Sequence, residues 1–428
     1  LMASPETISA VYDASLARRT HKIDFMSCLE HSARQFVIRR PENRTEVIAG
    51  YPWFGPFMED TFMALPGLTL SQGHKEDCID VLDTAVRDFK ASGLLDGRVT
   101  PATADAPLWF YFALQQLEGH ITQKELWAKY GEAMKGILAS YRRGFGEEVK
   151  MHDNGLICAS AERPLTWMGT MIDGQPLTPR RGYPVELQAL WYNAVEYTLA
   201  MAKKQGDKAF VAEWKGLPER TKAAFIEKFW LEEEGYLADY VNYDEVNKFI
   251  RCNMVVAVGL DYTMLDEEKC VRVLQIIHEH LLTPRGIRTL SPRNMLYKSN
   301  YNEDQRSQDL ASRNGSAWRW PLMLYVKACF AIGGERYVAD ATALLEAFDD
   351  ELQTKCVGSI SERFEGDPPH NPRGGVSHAT SVGGLLFIKM LIDKHTPKST
   401  KSKKVTKKAE TATEEKPKRK CVRKSAKK

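Results

Sequence analysis

Apolar residues return every three to four positions through most of this chain, the spacing that gives a helix one buried face. The pattern predicts helices over residues 7–36, 60–71, 75–91, 107–119, 123–143, 185–205, 209–229, 253–262, 267–282, 317–332, 335–349 and 379–394. The connections between them alternate in length. Those at 72–73 and 204–207 are short, whereas 49–59, 94–106, 156–184, 286–316 and 358–378 are long and rich in Trp, Gly, Pro and acidic residues. A ring of helix hairpins produces such alternation, because short links then lie on one face and long links gather on the other. Loops of this length are uncommon inside a compact domain unless they serve a function, so a site belongs on the long-loop face. No regular alternation of β-branched residues and no fixed-period repeat is visible, and the expected class is all-α.

With 428 residues, 43% of them hydrophobic and 10% aromatic, the chain can bury one large core. One domain is expected over residues 1–395, followed by a disordered Lys-rich tail over 396–428. That tail carries 14 Lys and Arg against three Glu, a balance of +11, so the whole-chain charge of +3 leaves −8 on the body. A mildly acidic body suits a neutral, sugar-like ligand and argues against a specific nucleic-acid partner. The tail lacks large apolar residues and reads as a solubilising extension or a non-specific polyanion contact.

The eight cysteines are scattered singly, without the C-x-x-C spacing of a zinc or redox site, and a reducing, cytoplasmic setting is expected with no metal and no cofactor. The first residues lack a basic segment followed by an apolar stretch, and no run of about 18 apolar residues exists, so neither a secretion signal nor a membrane span is expected. Leu1 ahead of Met2 hints at a fragment of a longer chain.

The long loops hold Trp53, Trp109, Trp167, Trp318 and Trp320 beside Asp60, Asp105, Asp173, Glu186 and Glu362. Aromatic faces pack on the C–H faces of pyranose rings, while carboxylates and Arg take the hydroxyls. A single Trp of this kind reads as core; five on one face point to a sugar site. Hydrolysis with inversion needs one protonated carboxyl for the leaving oxygen and one carboxylate to activate water, about 6.5–9.5 Å apart. Composition leaves that pair open.

The stretch Ala49-Gly-Tyr-Pro-Trp-Phe-Gly55 and the following Glu59-Asp-Thr-Phe-Met-Ala-Leu-Pro-Gly-Leu-Thr-Leu70 resemble the signature of the amylo-α-1,6-glucosidase family, the glucosidase half of glycogen-debranching enzymes. Ala104-Asp-Ala-Pro-Leu-Trp-Phe110, Leu165-Thr-Trp-Met168, Thr178-Pro-Arg180 and Pro184-Val-Glu-Leu-Gln-Ala-Leu-Trp-Tyr-Asn193 continue the likeness in the same order. Its most specific block is Gly358-Ser-Ile-Ser-Glu-Arg-Phe-Glu-Gly-Asp-Pro-Pro-His-Asn-Pro-Arg-Gly374, and the whole covers roughly residues 30 to 392. The resemblance implies an (α/α)6 barrel, a six-hairpin toroid like that of glucoamylase-type enzymes. It implies release of glucose from an α-1,6 branch stub of glycogen or a branched α-glucan, without cofactor or metal. Glu362 matches the general base. Asp60 matches an acid that binds the terminal glucose, although an acid in a first helical turn is equally explained by the helix dipole. Trp53, Asp105, Trp109, Trp167, Arg180, Trp318, Trp320 and Arg373 fall in the substrate-binding blocks. Relatives carry a further domain, a transferase or a β-rich N-terminal domain, outside the segment matched here.

Four positions depart from the family pattern. Glu59 stands where Arg is expected, which exchanges a fork of donors for an acceptor. Gly169 stands where the general-acid Asp is expected, Arg313 begins the block that usually begins with His, and Thr380 replaces a Trp. Asp173 and Glu186 are the candidates for a replacement acid. Because general acid catalysis contributes about 10²–10⁴ in rate, two readings stand: an active debranching glucosidase, and a catalytically impaired glucan-binding relative. A barrel enzyme acting on another sugar linkage, or a polyanion partner acting through the tail, would leave different signatures in substrate range and salt dependence.

Overall fold

The computed structural model of the chain describes residue 9 and residues 24–243, 245–300, 304–354 and 358–397. Its helices in chain order are α1 (Phe25–Ala33), α2 (Met58–Leu68), α3 (Lys75–Ser92), α4 (Ala106–Leu117), α5 (Gln123–Arg143), α6 (Val185–Gln205), α7 (Lys208–Trp214), α8 (Leu217–Phe229), α9 (Met254–Gly259), α10 (Glu267–His280), α11 (Gln305–Asn314), α12 (Trp320–Gly333), α13 (Val338–Glu346), α14 (Glu351–Thr354) and α15 (Ala379–His395). The Lys-rich tail, from 398 onward, and almost all of the expected helix before residue 24 lie outside the described residues.

Two kinds of helix divide the work. In α2, α4, α6, α9, α12 and α15 most residues are buried; α4 is covered everywhere except at Gln116, and α9 at every position. A helix apolar on all sides has to sit inside a core. By contrast α3 buries one stripe, Cys78, Val81, Leu82, Val86 and Phe89, and α5 and α10 do the same. The buried helices pack in succession: α2 on α4, α4 on α6, α6 on α9, α9 on α12, α12 on α15, and α15 returns to α2. The striped helices lie against them, α5 and α8 on α6, α10 on α9, and α1 and α13 on α15.

Every buried helix follows a long connection. Five of these connections are the long loops of the sequence pattern; the sixth, 230–253, leads into α9. They carry short strands of two to four residues, so the chain is mostly helical with its strands confined to the loops. The largest sheet is antiparallel and sequential, formed by Leu282–Thr283, Gly286–Arg288, Ala317–Trp318, Arg363–Phe364 and Pro372–Arg373. Ser377–His378 pairs with Gly50–Tyr51 and so joins the first long connection to the last.

Several predicted helices change at punctuating residues. The helix expected over 209–229 breaks into α7 and α8, with Gly216 as cap and Pro218 in the new first turn. The one expected over 317–332 begins as strand through Trp318, and α12 starts at Trp320 with Pro321 behind it. A 3₁₀ turn at Gly334–Tyr337 precedes α13. The connection 286–316 contains α11, whose Asp304 cap accepts the Ser307 N–H. At the start, Asp24 and Ser27 form a capping box that begins α1.

The closest approach is between α2 and α15. A Cβ at Gly67 would overlap the Gly383 carbonyl, and one at Gly383 would come within 2.7 Å of the Ala64 carbonyl oxygen. Backbone here meets backbone, and only glycine leaves the room. Gly67→Ala should therefore lower stability by about 1–3 kcal/mol through overpacking, read as a lower denaturant midpoint. Gly55→Ala, where an added Cβ meets nothing within 4 Å, should stay within about 0.5 kcal/mol of wild type.

Candidate active site

The starts of the buried helices are where the polar residues of the core collect. Glu59 and Asp60 lie in the first turn of α2, Asp105 caps α4, Glu186 lies in the first turn of α6, and Asn253, Arg319 and His378 precede α9, α12 and α15. Unpaired N–H groups at a helix start favour negative charge. Side-chain contacts tie these starts to one another.

Glu362 sits beside the strand Arg363–Phe364 and is buried. One oxygen pairs with Arg363 Nη1 at 2.6 Å, and the other accepts the Gly375 N–H at 2.8 Å. The backbone at Gly374, left-handed at φ +74°, passes so close that a Cβ there would overlap the Glu362 carboxylate. Burial works against the charge of Glu362, but Arg363, the Gly375 N–H and Arg313 outweigh it and hold the carboxyl below its ordinary range. His378, itself pushed down to about 4 by burial, adds to that pull where the two groups titrate together.

Three other acids at the helix starts are pushed the other way. Loss of water, then the charges of Glu59 and Glu362, raise the Asp60 carboxyl well above its ordinary value. Loss of water, then Glu59 and Glu186, push Asp105 up to about 7, against the Thr103 hydroxyl and the Trp167 N–H, which favour its charged form. The Trp167 N–H donates to Asp105 Oδ2 at 3.2 Å. Glu59 is also raised, by burial, and is drawn back by Arg313.

A second buried cluster adjoins these acids. Arg180 donates to both oxygens of Glu186, to Asp239 Oδ2 at 2.8 Å and to the Asp239 carbonyl at 2.8 Å. Asn253 donates to Asp239 Oδ1 at 2.7 Å and accepts Trp167 Nε1–H at 2.8 Å. Glu186 is thereby clamped by a bidentate guanidinium. Asp173 is elsewhere: it occupies an exposed turn at φ +50° and pairs with Arg306. Arg373 pairs with Glu365 at 2.5 Å, two strands from Trp318 in the sheet.

The tryptophans divide. Trp53 is 64% exposed, and Phe54 links it to His378 by edge contacts at 6.0 and 5.6 Å. Trp109, Trp167, Trp318 and Trp320 are buried and pack edge-to-face, with Trp167 at 4.8 Å from Trp320 and 5.6 Å from Trp318. Arg313 stands 4.9 Å from the rings of both Trp167 and Trp318 and donates to Thr170 at 3.1 Å.

Three of the four departures therefore converge. Arg313 is electrostatically coupled to Glu59 and bonded to the residue after Gly169, while Thr380 bonds His378 at 2.9 Å. Sequence reasoning treated Glu59 and Arg313 as separate losses; in space the charge of Arg313 acts on Glu59. It also passed over Arg363, Asp239 and Asn253. Arg363 was signalled by standing next to Glu362, whereas Asp239 and Asn253 lie in the sixth long connection, which the pattern had not singled out.

Among the described residues no group of three or more His, Cys, Asp or Glu is arranged to hold a metal ion. A cavity of about 710 Å³ lies between α10, α12 and α13, lined by Leu274, His278, Tyr325, Cys329 and Leu344 among others, and none of the residues above lines it.

Two predictions follow from these charges. Arg180→Met leaves Glu186 and Asp239 without their main partner and should cost about 3–5 kcal/mol in equilibrium unfolding. Asp105, raised from 3.8 to about 7 on folding, keeps its proton in the native state while the unfolded chain releases it. Its contribution is present below about pH 3.8 and lost as pH rises toward 7. Across that window Asp105→Asn should gain on the order of 2–4 kcal/mol relative to wild type, measured as paired unfolding curves at several pH values.

Comparison with known proteins bears on this geometry. The chain is 25% identical to the glycogen debranching enzyme of Saccharomyces cerevisiae over 232 residues, 44% of this chain and 15% of the yeast protein. It is 33% identical to the periplasmic trehalases of Salmonella schwarzengrund and Salmonella paratyphi A over 111 residues, 25% of this chain and 19% of either enzyme. The chain thus spans less than a fifth of the length of these relatives. A family model described as amylo-alpha-1,6-glucosidase matches residues 31–387, which include every residue of the carboxylate site, and the chain belongs to the amylo-alpha-1,6-glucosidase family.

Proposed function

We propose that this protein is a cytoplasmic glycoside hydrolase that removes α-1,6-linked glucose stubs from glycogen or a related branched α-glucan, with inversion and without cofactor or metal. The observation that carries the reading is the division of the acids. Arg363 and the Gly375 N–H draw Glu362 below its ordinary range, while burial and neighbouring carboxylates push Asp60 and Asp105 upward. Carboxyl groups pushed apart in this way are the acid and base of a two-carboxylate hydrolysis. Glu362 takes a proton from water as the water oxygen attacks C1. Asp60 accepts or donates to the hydroxyls of the terminal glucose. Trp53 offers the exposed ring on which the sugar stacks, and among the four buried tryptophans Trp167 and Trp318 position Arg313.

The closed succession of buried helices supports an (α/α)6 barrel for residues 1–395, with residues 396–428 as a tail appended to it. The long connections then form the rim at the end where the buried helices begin. Among the described residues no helix is long and apolar enough to cross a membrane. A transferase or β-rich domain elsewhere in a longer protein would act on the same glucan.

Gly169 favours a second reading, a glucan-binding relative with impaired turnover, because its position offers no proton. One experiment separates the two. The purified chain is incubated with a branched limit dextrin, with isomaltose-type oligosaccharides and with α,α-trehalose, and the anomer of released glucose is followed by NMR beside Glu362→Gln. Release of β-glucose, reduced about 10²–10⁴-fold by the substitution, is the expected result. Glucan binding without release by wild type would establish the impaired relative.

A further inference from the structure

We propose that a cleft beside the start of α2 is a second glucan-binding subsite, which holds the body of the chain whose end lies at Glu362; the inference rests on the glucosidase reading of the main site. The path to it begins at the rim. Trp53 is 64% exposed, Phe57 46% and Val376 50%. These side chains are not scattered singly. Phe54 joins Trp53 to Phe57, with ring centroids 6.0 and 6.2 Å away, and meets the His378 ring at 5.6 Å. A Cβ at Gly375 would come within 2.9 Å of the Phe54 ring, so the segment that carries Val376 lies against the same hub. The N–H of that glycine is the one donated to Glu362. An exposed apolar patch is therefore continuous with the candidate base, and a grouped patch, unlike isolated surface residues, marks a binding surface.

Phe57 also lines a cleft of about 210 Å³ between the strand Arg44–Val47, α2 and α3. Val47, Phe62, Val81 and Phe89 supply its apolar lining. Its polar lining is a fixed array, in which Arg44 donates to the two oxygens of Asp88 at 2.8 Å each and to Glu46 at 3.1 Å. Arg44 and Asp88 stay partly open to solvent. An ionised carboxylate accepts about four hydrogen bonds, so Asp88 and Glu46 keep capacity for sugar hydroxyls after Arg44 has been satisfied. Apolar surface beside prealigned hydrogen-bonding groups matches a pyranose ring, which has C–H faces and a hydroxyl edge. Sites for drug-sized ligands run to about 300–1,000 Å³; a smaller cleft next to an existing site has the dimensions of a subsite. Aromatic rings at the rim and fixed hydrogen-bonding groups in the wall favour a sugar over a protein partner, whose interface would have to cover roughly 800 Å² of each surface.

Cleft and acids lie on different faces of α2. Met58, Thr61 and Phe62 line the cleft, at the spacing that puts residues on one side of a helix. Glu59 and Asp60 do not line it, and are acted on by Arg313 and Glu362 instead. A helix with its side chains is about 10–12 Å across. Only a chain of several glucose units therefore runs from Glu362 over Trp53 and Phe57 into the cleft, and isomaltose ends before it. The cleft thus selects long glucans.

The test compares substrates of different length on the full chain. Phe57→Ala removes the ring at the rim, and Ala85→Phe fills the cleft from α3, where Ala85 is part of the lining. Each should lower kcat/KM on branched limit dextrin about 3–10-fold more than on isomaltose, through KM. Each should weaken binding of maltoheptaose, which has no α-1,6 bond, by a similar factor in calorimetric titration. Equal losses on the two substrates, or unchanged maltoheptaose binding in both variants, would overturn the proposal. Wild type inactive on both substrates would remove the glucosidase reading, and the maltoheptaose titration would still decide the cleft. Hydrogen exchange on wild type decides it without a variant: maltoheptaose should slow exchange in peptides covering residues 56–58 and 84–89, and protection confined to the loop around Glu362 would overturn the subsite. A wild-type dimer in sedimentation that Ala85→Phe makes monomeric would assign the cleft to a second copy of the chain and overturn it as well.

Discussion

Removing carboxylates from water is the most expensive thing this chain does, since an unpaired buried charge costs more than any one contact in the core returns. Glu59, Asp60, Asp105, Glu186, Asp239 and Glu362 share a limited set of guanidinium partners, and the structure settles the account in two ways. Glu186, Asp239 and Glu362 are paired with arginines. Burial and neighbouring carboxylates push the Asp60 and Asp105 carboxyls upward instead. Both solutions need surroundings that hold still, which the six apolar helices supply by packing on one another all the way round.

Much of the fold was legible because helices buried all round and helices buried on one side leave different marks. The all-round apolar run of α4 and the striped pattern of α3 can be told apart from the residues alone. What escaped was set by punctuation and by tertiary pairing. Pro218 and Pro321 moved helix starts, and the strand at Ala317–Trp318 is held by partners at Ile287–Arg288 and Arg363–Phe364, far off in sequence. Two-residue strands have no pattern of their own to read.

The candidate site was legible as a list of residues and illegible as a set of roles. Sequence placed Glu186 and Asp173 side by side as candidate acids, yet one is clamped by Arg180 and the other lies at an exposed turn. Arg180 reads in a linear motif as a hydroxyl ligand, while in space its guanidinium is occupied by two carboxylates and a carbonyl. Glu59 and Arg313 show the same limit. Each alone looks like damage to the pocket; in space the charge of Arg313 acts on the Glu59 carboxyl.

The bare-backbone contact of Gly67 with Gly383 joins the second helix to the last across more than 300 residues. Asp60 belongs to the first of these and His378 opens the second, with Glu362 just ahead of it. During synthesis the helix that carries Asp60 is made long before Glu362. A ribosome has to finish α15 before the ring can close and the acids acquire the neighbours that set their protonation. Such long-range closure comes late in folding. The growing chain therefore carries a set of carboxylates that lack their native neighbours until α15 is made.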